Sequence, residues 1–155
     1  MRIYFDTEFT ALNIPIGEIK LISAGFVAED GREFYFELND SYTFDDCSDF
    51  VVEHVLPNLD EKHAMTTLAA ANKLAEWIES FDEEVQLCAD ALDYDWALLK
   101  RVIQRKIPKN LRAHPVNVYS PRIYDLMEMY FVHNSNDIRH HALCDAHALA
   151  HACII

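Results

Sequence analysis

Apolar positions alternate in short runs through the first forty residues and recur at helical spacing afterwards. Residues 2–8 form an apolar β-run that ends in acids. Ile19 to Ala28 and Arg32 to Leu38 read as two further strands, joined by Glu29-Asp30-Gly31 with its Asp-Gly hairpin signal. Residues 46–56 predict a short helix that stops before Pro57. From about Thr66 to Phe81, Leu68, Ala71, Leu74, Ala75 and Ile78 fall on one helical face. Glu84 to Ala89 predicts a buried strand, and Asp93 to Lys106 a helix with Leu98, Leu99 and Val102 inward. Pro108 and Pro115 mark a loop, Asn117 to Arg122 a fifth strand, and Asp125 to about Val132 a helix. The polar stretch His133-Asn134-Ser135-Asn136-Asp137 has little apolar surface to bury, so it predicts a mobile connection before a last helix near Leu143. Trp77 is core by spacing, and Phe34-Tyr35-Phe36 reads as sheet packing.

The resulting order, three strands followed by alternating helices and strands, predicts an α/β fold with a mixed five-stranded sheet flanked by helices. A length of 155 residues with 51% hydrophobic content suits a single domain over residues 1–155. No apolar run approaches the roughly 18 residues of a membrane span, and the start lacks a secretory pattern. Cys47, Cys88, Cys144 and Cys153 show no C-x-x-C spacing and read as reduced residues of a cytoplasmic protein.

Charge changes the picture. A net charge of −13 argues against holding long nucleic acid by general electrostatics. Yet residues 1–95 carry 22 of the 26 acids, while residues 96–124 carry none and hold seven of the 13 basic residues. Lys100, Arg101, Arg105, Lys106, Lys109, Arg112 and Arg122 therefore form either a local track for a short polyanion or a solvated helix face.

Asp6 and Glu8 stand two apart at the end of the first strand, so their side chains share a face. Carboxylates that close resist joint ionisation unless a cation neutralises them, and a hard divalent ion suits an all-oxygen site. His140-His141-Ala142-Leu143-Cys144-Asp145 adds a histidine and another acid. Together these residues point to metal-assisted phosphodiester chemistry. Asp95 follows Tyr94 at a helix entry; Asp90 and Asp93 are its rivals, and Asp93 suits an N-cap. His147 and His151 have the i, i+4 spacing of a zinc pair but no third ligand in register, so they read as surface residues. Cys144 reads as packing.

These motifs resemble the DEDDh family of 3′→5′ exonucleases. Asp6-Thr7-Glu8-Phe9-Thr10-Ala11-Leu12 is similar to the family's first motif, with Ala11 where glycine is usual; alanine resists positive φ, so the turn is drawn differently. Tyr94-Asp95-Trp96-Ala97-Leu98-Leu99 resembles the second, without its upstream asparagine. His140-His141-Ala142-Leu143-Cys144-Asp145-Ala146 matches each fixed position of the third. The hairpin Val27 to Glu33 looks like that of the compact stand-alone exoribonuclease branch of mycobacteria and phages.

The resemblance implies a ribonuclease-H-like fold, with Asp6, Glu8, Asp95 and Asp145 holding two divalent cations, Mg²⁺ or Mn²⁺. It makes His140 the general base and His141 a further contact. Phe9, Thr10 and Leu12 would meet the terminal bases, and Lys100, Arg101 and Arg105 the backbone. The implied partner is single-stranded nucleic acid, RNA favoured, with no membrane and with a homodimer admitted. An exodeoxyribonuclease and a non-catalytic interaction module are the alternatives.

Overall fold

The computed structural model describes residues 1–155. Strands β1 (Arg2–Phe9), β2 (Leu21–Ala28) and β3 (Glu33–Leu38) come first, and α1 (Asp49–His54) follows. Then come β4 (Ala64–Met65), α2 (Thr67–Glu79), β5 (Gln86–Ala89), α3 (Asp95–Ile103), β6 (Val116–Asn117), α4 (Pro121–His133) and α5 (Ala142–Ile154). They build a mixed sheet of order β4-β3-β2-β1-β5-β6 in which only β2 opposes the others.

The sheet thus has six strands rather than five. The extra one, β4, is a two-residue edge strand paired through Glu37↔Ala64 and Leu38↔Met65, too short for periodicity to mark. The expected strand over 117–122 shrinks to Val116–Asn117, and the helix after it starts at Pro121 rather than Asp125. Ser120 caps that helix by accepting from the Ile123 N–H, and Pro121 occupies the first turn, where a missing N–H costs nothing. Leu68 is a second correction: it lies in the first turn of α2 and is exposed, while Ala70, Ala71, Leu74, Ala75 and Ile78 are buried. The hairpin after β2 forms as its sequence requires, with Gly31 at φ 87.

Two-residue periodicity splits the sheet cleanly. Ile3 and Phe5 of β1 join Ala24, Phe26 and Phe36 and pack under Leu74, Ile78, Leu98 and Leu99 of α2 and α3. Each buried Ile, Leu or Phe among them contributes roughly 1.5–3 kcal/mol. Tyr4, Val27 and Cys88 face the other way, onto Ala146, Leu149 and Ala150 of α5, with Ile123 and Met127 of α4 at the margin. A third cluster seats α1, through Val51 and Val55, on Ile22. No helix is long and apolar enough to cross a membrane.

Candidate metal centre and active-site cleft

Five carboxylates converge where β1 and β5 end. Asp6 and Glu8 stand on the α5 face of β1, as their spacing requires. The β1–β2 register shifts just after Glu8, from Glu8↔Ser23 to Phe9↔Leu21, which leaves Ile22 as an extra residue on β2. Such a bulge re-aims the side chains at a strand end. Asp145 arrives from the first turn of α5. Its approach depends on Gly25, the β2 partner of Asp6. A Cβ at Gly25 would lie 2.4 Å from the Leu143 backbone, so no other residue lets α5 start this close to the sheet. Asp95 is the first residue of α3 and comes from the opposite face. Thr7, between the two β1 acids and pointing away from them, donates its Oγ1–H to Asp95 Oδ1 at 2.6 Å. Phe9 stacks on Tyr94 at 5.4 Å and 6°, which fixes the entry of α3 against β1.

The acids fall into two triads that share Asp6. Ligand oxygens of Asp6, Glu8 and Asp145 lie within 4.8 Å of one another, and so do those of Asp6, Asp90 and Asp95. Neither lysine nor arginine lines this cleft. Burial, reinforced by the neighbouring acids, therefore drives the carboxyls toward protonation. Asp6 is raised well above the usual range by burial, then by Asp95, Asp145, Glu8 and Asp90. Glu8 is pushed up to about 9 by burial and then by Asp145 and Asp95. Asp95 rises only to about 7 because the Thr7 hydroxyl opposes its burial, and Asp145 to about 6 because backbone N–H groups of His141 and His140 do the same. Both milder cases sit in helix first turns, where the macrodipole favours negative charge. Asp95 Oδ2 remains buried with no hydrogen-bond partner. A buried polar atom left unpaired costs roughly 1–3 kcal/mol, more where the group is charged. Hard divalent cations fit this all-oxygen set.

Sign and window follow for the cation-free protein. These folded-state acids bind protons that the unfolded chain, with carboxyls near pH 4, has already released. Stability should fall as pH rises from about 4 through the values of about 6, 7 and 9 just given for Asp145, Asp95 and Glu8. Thermal unfolding in chelator across pH 5–9 should show this decline, and millimolar Mn²⁺ should flatten it. A melting temperature that climbs with pH in chelator contradicts the coupling.

The acids form one wall of a cleft of about 580 Å³, also lined by Phe9, Leu12, Phe50 and His140. His140 adopts φ 61, and its ring meets the edge of Phe50 at 5.0 Å. Burial, then His54 and Arg139, lowers its pKa, which favours the neutral imidazole. The Asn58 amide donates to the carbonyls of His54, Arg139 and His140 at 2.8, 3.2 and 3.1 Å, tying α1 to this turn. Asn134, Ser135 and Asn136 are exposed, and side-chain contacts hold the connection before His140 at Asp137 and Arg139. Tyr130 donates to Asp137 Oδ2 at 2.5 Å, a ring nitrogen of His147 meets the same oxygen at 3.3 Å, and Arg139 pairs with Glu128 at 2.8 Å. The other ring nitrogen of His147 faces Glu33 Oε1 at 2.8 Å, so His147 is engaged away from His151.

Several expected contact residues lie elsewhere. Thr10 is fully buried and its Oγ1 accepts from the Lys20 N–H, so it holds the chain after β1 rather than facing the cleft. The turn that a glycine would serve at residue 11 places its positive φ at Asn13, a residue type that tolerates it. His141 stacks on Tyr35 at 4.7 Å behind the acids, and its backbone N–H donates to Asp145 Oδ2. Lys100 and Arg105 are exposed outside the cleft. Arg101 donates to the carbonyls of Ile16 and Ile19, both at 2.6 Å, and so clamps the loop between β1 and β2. Arg101→Ala should therefore cost on the order of 1–2 kcal/mol, whereas Lys100→Ala and Arg105→Ala should stay within about 0.5 kcal/mol. Chemical denaturation of the three variants checks this, and equal midpoints would deny the clamp.

Phe50, Thr7, Asn58 and Gly25 carry the site without having been marked as part of it, and Asp90, named only as a rival to Asp95, lies beside Asp95 in it. Gly25 alone had a local signal, a glycine inside an otherwise apolar strand. The others owe their place to chain segments distant in sequence.

This six-stranded mixed sheet flanked by helices is the ribonuclease-H-like fold of exonuclease I. Over 96% of the chain the structure superposes on an exonuclease I with a TM-score of 0.61 at 11% identity, covering 39% of that chain. Over 99% it superposes on exonuclease I from Methylocaldum szegediense, also at 0.61, with 9% identity and 39% of that chain covered. In sequence, the chain is 45% identical over 60 residues to a 3′-5′ exoribonuclease of Mycobacterium tuberculosis, in both the CDC 1551 / Oshkosh and the H37Rv strain. That stretch is 38% of this chain and spans only 33% of each relative's length. No protein-family model matches. The resemblance to DEDDh-type exonucleases stands on these two likenesses and on the three motifs.

Proposed function

We propose that residues 1–155 act as a single metal-dependent 3′→5′ exonuclease domain that shortens single-stranded RNA or short oligonucleotides to 5′-mononucleotides. One observation carries the reading: a cleft lined by five acids and a half-buried histidine, in which Glu8 and Asp95 are buried and Asp95 Oδ2 is unpaired. The likeness to a 3′-5′ exoribonuclease favours RNA.

Asp6, Glu8, Asp95 and Asp145 would hold two divalent cations, Mg²⁺ or Mn²⁺. When bound, such ions supply Lewis-acid charge to the attacking and leaving oxygens of a displacement at phosphorus. His140 accepts a proton from the attacking water at its unprotonated ring nitrogen, a role that its lowered pKa supports at neutral pH. The scissile bond lies between phosphorus and the 3′ oxygen. Its rupture releases a nucleoside 5′-monophosphate and leaves a 3′-hydroxyl on the shortened strand. Phe9 and the exposed Leu12 and Phe50 offer apolar surface to the terminal bases; stacking of this kind gives roughly 1–3 kcal/mol per base whatever the sequence.

The protein is further proposed to pair with a second copy of itself through α4. That helix has no buried residue and exposes Tyr124, Met129 and Val132. Light scattering during size exclusion measures the pairing directly.

Matched single-stranded RNA and DNA, labelled at the 5′ end and resolved at single-nucleotide steps with Mg²⁺ or Mn²⁺, test the activity. The expected result is a ladder shrinking from the 3′ end, faster on RNA. A faster DNA ladder replaces the ribonuclease with an exodeoxyribonuclease. Intact substrate with both metals leaves a binding module instead.

A further inference from the structure

Beyond the four acids assigned by motif, a fifth lies against them. The parallel pairing of β1 with β5 sets Tyr4 opposite Cys88. Two residues further along each strand direction stand Asp6 and Asp90, on the same face by the two-residue period. Strand β5 ends at Ala89, so Asp90 is the first residue past its carboxyl end and lines the cleft. Its ligand oxygen lies within 4.8 Å of those of Asp6 and Asp95. Asp95 is 2% exposed, and its Oδ2 has no hydrogen-bond partner. None of the three carries a salt bridge to lysine or arginine. A buried, unpaired oxygen beside two further acids is costly unless a cation completes the set.

We propose that Asp90 is a metal ligand, completing with Asp6 and Asp95 the seat of one divalent cation, while Asp6, Glu8 and Asp145 form the seat of the other. This rests on the exonuclease reading above and divides its site in two. Asp6 belongs to both seats, Glu8 and Asp145 to one, Asp90 and Asp95 to the other. A hard, oxygen-seeking ion such as Mg²⁺ or Mn²⁺ suits both.

Binding of Mn²⁺ to the full chain, counted by isothermal titration and by the loss of the free-ion electron paramagnetic resonance signal, tests the division without reference to turnover. Wild type should take up two ions per chain. Asp90→Asn keeps the side-chain shape and should weaken one ion by at least about tenfold, the least that loss of even an outer-shell partner costs; the other ion should be unchanged. Glu8→Gln should weaken the ion that Asp90→Asn spares, so the double variant loses both. Asp90→Ala gives the same reading if the asparagine variant folds poorly. Two ions of wild-type affinity in Asp90→Asn, with one lost in Asp95→Asn, overturn the role of Asp90 and leave the four-acid site standing. A wild-type chain that takes up no Mn²⁺ at millimolar concentration overturns both.

Discussion

Alanine at Asp6, Glu8, Asp95 or Asp145 should each lower turnover by at least about 10³-fold, at or beyond the 10²–10³ that loss of a single preorganised hydrogen-bond donor costs. The fold should survive. In the cation-free protein these carboxyls are held toward protonation by burial and by one another. Removing one relieves the others, so its melting temperature in chelator should equal or exceed wild type near pH 8. Added Mn²⁺ then separates the cases. It should raise the wild-type melting temperature by mass action and raise that of each variant less. Asp6→Ala should respond least, because Asp6 alone belongs to both triads. Circular dichroism, unfolding with and without Mn²⁺, and the 3′-end ladder measure the three parts. Near-normal turnover by any one variant removes that acid from the site.

His140→Ala should reduce kcat by about 10²–10⁴-fold, the range for loss of a positioned general base. KM and Mn²⁺ uptake should stay near wild type, since the ring contributes to neither acid triad. Asn58→Ala should give a smaller loss in kcat, because the His140 turn remains but its tie to α1 is gone. In a His140→Ala background the Asn58 change should add nothing further to kcat, as expected of two residues acting as one unit. A kcat unchanged by His140→Ala, with Mn²⁺ uptake intact, would remove the histidine from proton transfer and leave the metal centre in place.

Strand and helix positions with strong periodicity were legible before any coordinates. The β1 run, the Asp-Gly hairpin and, Leu68 excepted, the apolar stripe of α2 form where the pattern places them, because each signal is local and each period has one geometric meaning. The pairing of Asp6 with Glu8 on one face was legible for the same reason. Caps rather than periodicity set the boundary at Ser120-Pro121, where a serine followed by proline starts the helix four residues before its apolar pattern does. The edge strand β4 offered no pattern at all, since two residues have no period.

Convergence was another matter. Spacing along single chain segments was enough for the α/β class, for the order of every element except β4, and for the face on which the first two acids lie. Tertiary packing brings Asp90 to Asp6, through the β1–β5 register, and Asp145 to Asp6 and Glu8, through the absent side chain of Gly25. It also sets Arg101 against two backbone carbonyls and buries Thr10. Charge and polarity in the sequence say what a side chain can bond to. Which partner it meets depends on segments far along the chain, brought within hydrogen-bonding distance by the packing of two helices on each face of one sheet.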